Sequence, residues 1–339
     1  MRLVVGRGVL DSLGEEVSRL NPHSVFLVTD DVVAELHLDK VLEALGDTRY
    51  LVLGSGEEIK SLNVLKRIWR WLLRFGATRK SLLVALGGGT VLDVGGFAAS
   101  TYMRGMLLAN VPTTLLAQAD AAVGGKNGVN YMGKNMIGSF YEPHLVVADV
   151  SLLETLNRSA LLSGLAEIIK HGVIGDEELF SLLERKGFSA LEEDAEFLVR
   201  RSIEVKMSIV SRDPREENGL RMVLNLGHTV GHALELLSRY SIQHGFAVSI
   251  GMVASCLVAE EVNGFDETDR VIRLLENVGL PTRFELGSKG VERVISVMKR
   301  DKKAWRGGIV MVLPVRIGRV EVRCVKEDPV RKALRMVLS

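Results

Sequence analysis

Leu82-Leu-Val-Ala-Leu-Gly-Gly-Gly-Thr-Val-Leu-Asp93 decides the fold: five apolar residues run into three glycines, and a helix-compatible segment follows. A short, continuously apolar run bounded by turn residues reads as a strand buried on both faces. Glycines at a strand-to-helix junction let backbone approach a phosphate closely, and the helix start offers free N–H groups and the positive end of its dipole. The glycines are consecutive, so the spaced G-x-G-x-x-G fingerprint is absent, and a tight structural turn is the competing reading. Working backward, Asp30 closes the apolar run 25–29. There it either caps the next helix or accepts bonds from a ribose hydroxyl. Taken together, the glycine turn and Asp30 favour a dinucleotide.

Around this stretch the runs 25–28, 49–53, 107–111 and 145–148 read as further strands, with helix-period segments at 32–45 and 61–75. Alternating β and α units of this size predict a parallel sheet with crossover helices. The alternation stops near residue 150. From Ser159 the chain reads as helices at 160–173, 177–184, 191–210, 227–237, 247–262, 266–278 and 291–300. A small β-hairpin follows, 308–313 and 318–322 around 314–317. The expected architecture is α/β. A Rossmann-like parallel-sheet domain over 1–150 precedes a mainly α-helical metal- and substrate-binding domain over 151–339, with the active site in the cleft between.

Composition narrows the function classes. The chain has 339 residues, 47% hydrophobic and 25% charged, which is enough for two domains with substantial cores. A net charge of +1 gives no reason to expect nucleic acid or a membrane. Two cysteines, Cys256 and Cys324, lie far apart, so a disulfide framework is not expected and a reducing cytoplasm is the simplest location. The N-terminus turns polar too soon for a signal peptide, and no apolar run is long enough to span a bilayer. Glutamine occurs only at positions 118 and 243 while Arg, Lys and Glu are plentiful, a bias that suggests a thermophilic source.

The chemistry concentrates later in the chain. Asn225-Leu-Gly-His-Thr-Val-Gly-His-Ala-Leu-Glu235 and His244-Gly hold three of the seven histidines. His228 and His232 project from one helix face, and His244 opens the next helix. A lone histidine is more often a core or capping residue, but three within seventeen positions, between glycines, point to a site. Gly164-Leu-Ala-Glu167-Ile-Ile-Lys170 places a carboxylate and an ammonium on one face among apolar neighbours. A partly buried carboxylate needs a cation. Glutamate plus two histidines would leave an open position on zinc. The glycine-rich segment 123–138 carries Lys126, Lys134 and Asn135, and Lys206, Arg221, Lys302 and Lys303 add further cations. So many donors imply a ligand bearing carboxylate and phosphate.

Read together, these motifs resemble the 3-dehydroquinate synthases of the shikimate pathway. They are Gly-Gly-Gly-x-x-x-Asp93, Tyr102-Met-Arg104-Gly, Val-Pro-Thr113-Thr114, Asp120 with Val-Gly-Gly-Lys126, Gly-Lys134-Asn135, Gly-Leu-Ala-Glu167-x-x-Lys170, Gly-Leu-Arg221, Asn225-Leu-Gly-His228-Thr-x-Gly-His232, His244-Gly and Arg-Asp-Lys302-Lys303. The resemblance implies conversion of 3-deoxy-D-arabino-heptulosonate 7-phosphate to 3-dehydroquinate and phosphate, with NAD reduced and reoxidised in each turnover and Zn2+ or Co2+ as the metal. It implies Glu167, His228 and His244 as metal ligands. Asp30, Glu57, Lys60, Gly88, Gly89, Asp93, Thr113, Thr114, Asp120, Lys126, Lys134 and Thr155 match dinucleotide contacts. Lys126, Lys170, Lys206, Arg221, Asn225 and His232 match catalytic positions, and Asp120, Arg104, Lys134, Asn135, Lys302 and Lys303 match substrate contacts. In the family the Arg104 position reaches a phosphate across a dimer interface, which implies a homodimer.

The chain departs from the family pattern at Phe246, where Glu is usual, at Asn127, where Thr is usual, and in an apparent insertion over 213–217. Retention of Arg221 and Asn225 favours dehydroquinate over the products of other sugar phosphate cyclases. The competing class is an NAD(P)- and metal-dependent alcohol or glycerol phosphate dehydrogenase, which would release reduced cofactor each turnover.

Overall fold

The structure is a computed structural model and describes residues 1–287, 289–300 and 308–338. It divides into two compact units, Met1–Leu161 and Leu162–Ser339. The first unit is built on strands β1 (Arg2–Gly6), β2 (Val25–Asp30), β3 (Thr48–Leu53), β4 (Leu82–Gly87), β5 (Leu107–Pro112), β6 (Lys126–Val129), β7 (Ile137–Phe140) and β8 (Leu145–Asp149). Six of them form a parallel sheet in the order β1-β8-β5-β4-β2-β3. β4 lies inside it with every residue buried, which is why its sequence is a continuous apolar run and not an alternating one.

Helices α1 (Leu13–Ser18), α2 (Asp31–Leu45), α3 (Leu62–Arg74) and α4 (Gly89–Thr101) are the connections between strands. Asp30 starts α2 by accepting the Val33 N–H at 2.8 Å, the usual service of a short polar side chain to a helix's first free donors. α4 lies close on β4 because Gly95 faces Ala85; a Cβ on Gly95 would stand 2.9 Å from the Ala85 methyl. Two strands in the segment expected to be a glycine-rich loop, β6 and β7, pair antiparallel as a ribbon. β1, which no pattern singled out, pairs parallel with β8 at the sheet edge.

The second unit holds α5 (Arg158–Gly175), α6 (Glu177–Lys186), α7 (Ala190–Glu193), α8 (Ala195–Val210), α9 (His228–Leu237), α10 (His244–Asn263), α11 (Thr268–Val278), α12 (Gly290–Arg300) and α13 (Glu327–Val337). α5 begins in the last residues of the first unit. The helix expected over 191–210 breaks at Asp194, whose backbone leaves the helical region. The hairpin, β9 (Ile309–Arg316) and β10 (Arg319–Val325), turns at Ile317 and Gly318, so Pro314 lies inside a strand and not in the turn. Gly318 supplies the positive φ (84°) that so short a turn demands. One expectation needs correcting. α10 is long and apolar enough to cross a membrane, but 72% of its apolar window is buried inside the protein. It is a core helix, apolar all round because it is surrounded.

Candidate active site

In the second unit the sequence assembles an acid and two imidazoles at one point. Glu167 lies mid-way along α5, on a stretch buried continuously from Leu162 to Ile174. His228 is the first residue of α9 and His244 the first of α10. These two helix starts come together because glycines let their backbones touch. A Cβ on Gly251 would lie 1.9 Å from the Gly227 carbonyl oxygen, and one on Gly245 would lie 2.2 Å from that of Ser163. The Gly245 N–H donates to Ser163 Oγ at 3.1 Å. Ser163 is one turn before Glu167 on α5, so the His244 backbone is pinned to the face that carries the acid.

The resulting geometry is tight. His244 Nε2 is 3.2 Å from Glu167 Oε1 and His228 Nε2 is 3.6 Å from the same oxygen. One nitrogen from each ring and one carboxylate oxygen all lie within 4.8 Å of one another. A tetrahedral zinc site with arms of about 2.0–2.1 Å has ligand atoms about 3.4 Å apart, and the two measured distances bracket that edge. On the far side of the rings, His228 Nδ1 is 3.1 Å from the Leu226 carbonyl and His244 Nδ1 is 3.4 Å from Glu235 Oε2. Both acceptors call for a proton on Nδ1, so both Nε2 atoms face Glu167, where a metal ion would take their lone pairs. Glu167 is 1% exposed, and neither of its oxygens has a well-directed hydrogen bond. A buried carboxylate with close cationic neighbours but no aligned donors is suited to a metal ion.

The electrostatics agree. Burial would raise the Glu167 carboxyl, but Lys170, His228 and His244 together hold it well below the usual carboxylate range. Lys170, 2% exposed, is ion-paired with Glu167. Burial pushes His228 down to about 3, so its ring is neutral and its lone pair is free for a ligand bond. Burial would also lower His244, but Glu167 and Glu235 override it and raise the ring to about 9, so without a metal it keeps a second proton that a bound metal would displace. His232 packs edge-on against His228 at 5.2 Å and stacks on His244 at 6.3 Å, outside the ligand triad. Lys206 and Arg221 are both buried in this unit. The Arg221 guanidinium donates to the Pro214 carbonyl at 3.0 Å, and its backbone N–H donates to Asp213 Oδ2 at 3.2 Å, so the segment 213–217 serves to hold this arginine. Asn225 ends the short 3-10 helix Leu220–Asn225. Lys302 and Lys303 lie outside the described residues.

In the first unit Gly88 caps α4 and Asp93 follows in its second turn. Asp93 Oδ2 accepts from Lys60 Nζ at 2.6 Å. Lys60 is 5% exposed and also bonds Asn135. Asn130 ties in the rest: its amide donates to Glu57 at 2.9 Å, and its carbonyl oxygen accepts the Asn135 N–H at 2.8 Å. Glu57, Lys60, Asp93 and Asn135 are thus one network. Thr113 N donates to the Gly87 carbonyl at 3.0 Å and Thr114 lies against Gly88, so both threonines border the glycine turn. Lys126 and Lys134 are exposed on and near the ribbon, and Asp120 lies in the turn Ala117–Ala121. Thr155 Oγ1 meets His37 Nε2 at 3.2 Å.

Arg104 is exposed on a corner where Met103 and Arg104 both adopt positive φ (48° and 68°). Asn127 fills the groove over Gly96, where a Cβ would sit 1.8 Å from its Oδ1, and its amide donates to Gly125 and Tyr141 carbonyls. Motif reading passed over Ser163, Asn130 and Glu235. Glu235 lies one turn from His232 on α9, a spacing that reads as a solvated acid until its burial is known.

Two family models cover most of the chain: 3-dehydroquinate synthase N-terminal over residues 50–163 and 3-dehydroquinate synthase C-terminal over 164–304. A 3-dehydroquinate synthase of Pyrococcus abyssi (strain GE5 / Orsay) is 48% identical over 320 residues, covering 94% of this chain and 95% of that one. Among solved structures, a 2-deoxy-scyllo-inosose synthase complexed with carbaglucose-6-phosphate, NAD+ and Co2+ superposes with a TM-score of 0.88 at 27% identity, over 99% of this chain and 96% of that chain. ValA, a 2-epi-5-epi-valiolone synthase from Streptomyces hygroscopicus subsp. jinggangensis 5008 with NAD+ and Zn2+ bound, gives 0.89 at 26% identity with the same coverage.

Proposed function

The chain belongs to the 3-dehydroquinate synthase family, and from that premise we propose how its residues share the work. Its activity is that of a 3-dehydroquinate synthase: 3-deoxy-D-arabino-heptulosonate 7-phosphate is converted to 3-dehydroquinate and phosphate. Glu167, His228 and His244 hold a divalent metal, zinc or cobalt. The observation that carries this is the convergence of both Nε2 atoms on a buried carboxylate that lacks aligned donors. Glu57, Lys60, Gly88, Gly89, Asp93, Thr113 and Thr114 hold NAD, with Asp30, Asp120, Lys126, Lys134 and Thr155 contributing. The relatives solved with NAD+ and Co2+ or Zn2+ support both cofactors.

When bound, the metal supplies Lewis acidity to a substrate hydroxyl and NAD supplies a reversible hydride acceptor, so no net redox change results. The chain's own groups orient the substrate. Arg221 clamps the carboxylate, because its planar fork suits bidentate pairing. Lys126, Lys134 and Asn135, with a lysine of 302–303, hold the phosphate. Asn225, His232, Lys170 and Lys206 face the reacting carbons and fix one geometry for elimination and ring closure. Two cysteines, one buried and one exposed, with no disulfide, accord with a cytoplasmic enzyme.

The test is one incubation of the protein with the heptulosonate phosphate, zinc and NAD at far below substrate concentration. Phosphate release in excess of NAD, with no accumulating NADH, is expected. One NADH per substrate consumed would mean a dehydrogenase instead.

The working unit is a homodimer in which Arg104 serves the partner's site, a reading that rests on the family resemblance and requires the exposure that Arg104 has. Arg104→Ala and Glu167→Gln chains, each inactive alone, should regain activity when mixed and refolded together. Every mixed dimer would contain one site with intact ligands and an arginine from across the interface. No recovery, with mixed dimers demonstrated by mass, would place Arg104 in its own chain's site.

A further inference from the structure

We infer that Glu235 is a positioning residue for the metal site: it fixes the ring orientation and tautomer of His244. This inference rests on the reading of Glu167, His228 and His244 as metal ligands. Glu235 is a carboxylate only 4% exposed, on α9. An acid so deeply buried calls for a compensating group. Its Oε2 is 3.4 Å from His244 Nδ1, while Nε2 at the other end of the same ring is 3.2 Å from Glu167. The ring is therefore suspended between two carboxylates, one on each nitrogen.

His228 provides the internal comparison. Its Nδ1 faces the Leu226 carbonyl at 3.1 Å and its Nε2 faces Glu167. Two imidazoles from different helices thus have the same polarity, an acceptor behind and the shared acid in front. An acceptor behind a ligating imidazole sets the tautomer, orients the ring and makes the metal-facing nitrogen more basic. The two acceptors differ in charge: a backbone carbonyl serves His228 and an ionisable carboxylate serves His244. The His244 ring is the more exposed of the two, 27% against 13%, so it depends more on a strong acceptor behind it.

The test measures metal binding rather than turnover. Purified protein is stripped with a chelator, and its affinities for Zn2+ and Co2+ are determined by chelator competition for the parent, Glu235→Gln and Glu235→Ala. The glutamine keeps the shape and an oxygen acceptor but loses the charge, so a packing role alone would leave its affinity equal to the parent's. Loss of an outer partner of this kind lowers metal affinity about 10–100-fold. The expected order is parent, then Gln, then Ala, with at least a tenfold loss for Gln and a changed Co2+ absorption spectrum. Equal affinities for parent and Glu235→Gln would overturn the inference. If Glu235→Ala does not fold, the Gln variant alone decides. A parent that binds no metal at all would instead sink the metal-site reading.

Discussion

At the scale of single residues, the site was legible where chemistry stands out against an apolar background. Glu167 sits among Leu165, Ala166, Ile168 and Ile169, and such an acid announces a partner. Glu167→Gln removes the only carboxylate of the triad. The variant is expected to lose stoichiometric zinc, with affinity down by more than about 100-fold, and nearly all phosphate release. Full zinc occupancy measured by atomic absorption would refute the ligand assignment. Glu235 was not legible, because an acid one turn from a histidine on an amphipathic helix reads as solvated until its burial is known.

Asp149 is a second residue that only the structure explains. Burial alone would raise its carboxyl, but N–H groups of Leu10, Gly8 and Ser151, with the Ser151 hydroxyl, outweigh this and place it below its ordinary value. An unfolded aspartate titrates near about 3.9. Folding therefore favours the ionised form, and this contribution is complete above about pH 4 and lost as pH falls through the folded value. Asp149→Asn should flatten the fall in stability below about pH 4 in denaturant titrations. An unchanged slope would show that the carboxylate contributes nothing there.

At the scale of elements, the interior strands β2, β4, β5 and β8 announced themselves by largely apolar runs that reflect burial on both faces, and the partly exposed β3 and the hairpin β9–β10 by shorter ones between turn residues. β6 and β7 were hidden by their glycines. Gly128 and Gly138 face each other across the ribbon because a Cβ on Gly138 would stand 2.1 Å from the Asn127 carbonyl oxygen. The same close approach organises α9 and α10. Gly251→Ala would drive a methyl group to 1.9 Å from the Gly227 carbonyl, forcing apart the two helix starts that carry the histidines. Overpacking of a dense interior costs about 1–3 kcal/mol. A lowered denaturant midpoint is expected, together with weaker zinc binding, because the strain falls on the ligand geometry. Gly264→Ala, at the far end of α10 with nothing within 4 Å but a φ of 77°, should lower stability and leave zinc affinity unchanged. If both variants affected zinc equally, helix spacing would not be what sets the ligand geometry.

At the scale of the whole molecule, fold class was readable from periodicity and chemical identity from ordered motifs that the family models bear out, whereas architecture alone identifies no reaction, because one architecture serves several. Cyclases named for inosose and valiolone products superpose on the full chain at TM-scores of 0.88 and 0.89, so backbone shape cannot choose among them. Side chains can. Arg221 is buried and held in place from two directions, by its own N–H on Asp213 and by its guanidinium on the Pro214 carbonyl. A buried guanidinium presents a planar fork of donors that a substrate carboxylate can meet with two parallel bonds and a neutral group cannot. A site built around such a group discriminates strongly against analogues that lack the matching group. The carboxylated heptulosonate phosphate should therefore be favoured over a carboxylate-free sugar phosphate such as glucose 6-phosphate by at least about 100-fold in kcat/KM, or about 2.7 kcal/mol. Arg221→Met should shrink that ratio by lowering turnover of the carboxylated substrate while leaving the poor substrate little changed. Were the two substrates to fall in parallel, Arg221 would be supporting the fold around Asp213 and not selecting the carboxylate, and the preference for dehydroquinate would have to arise from other residues.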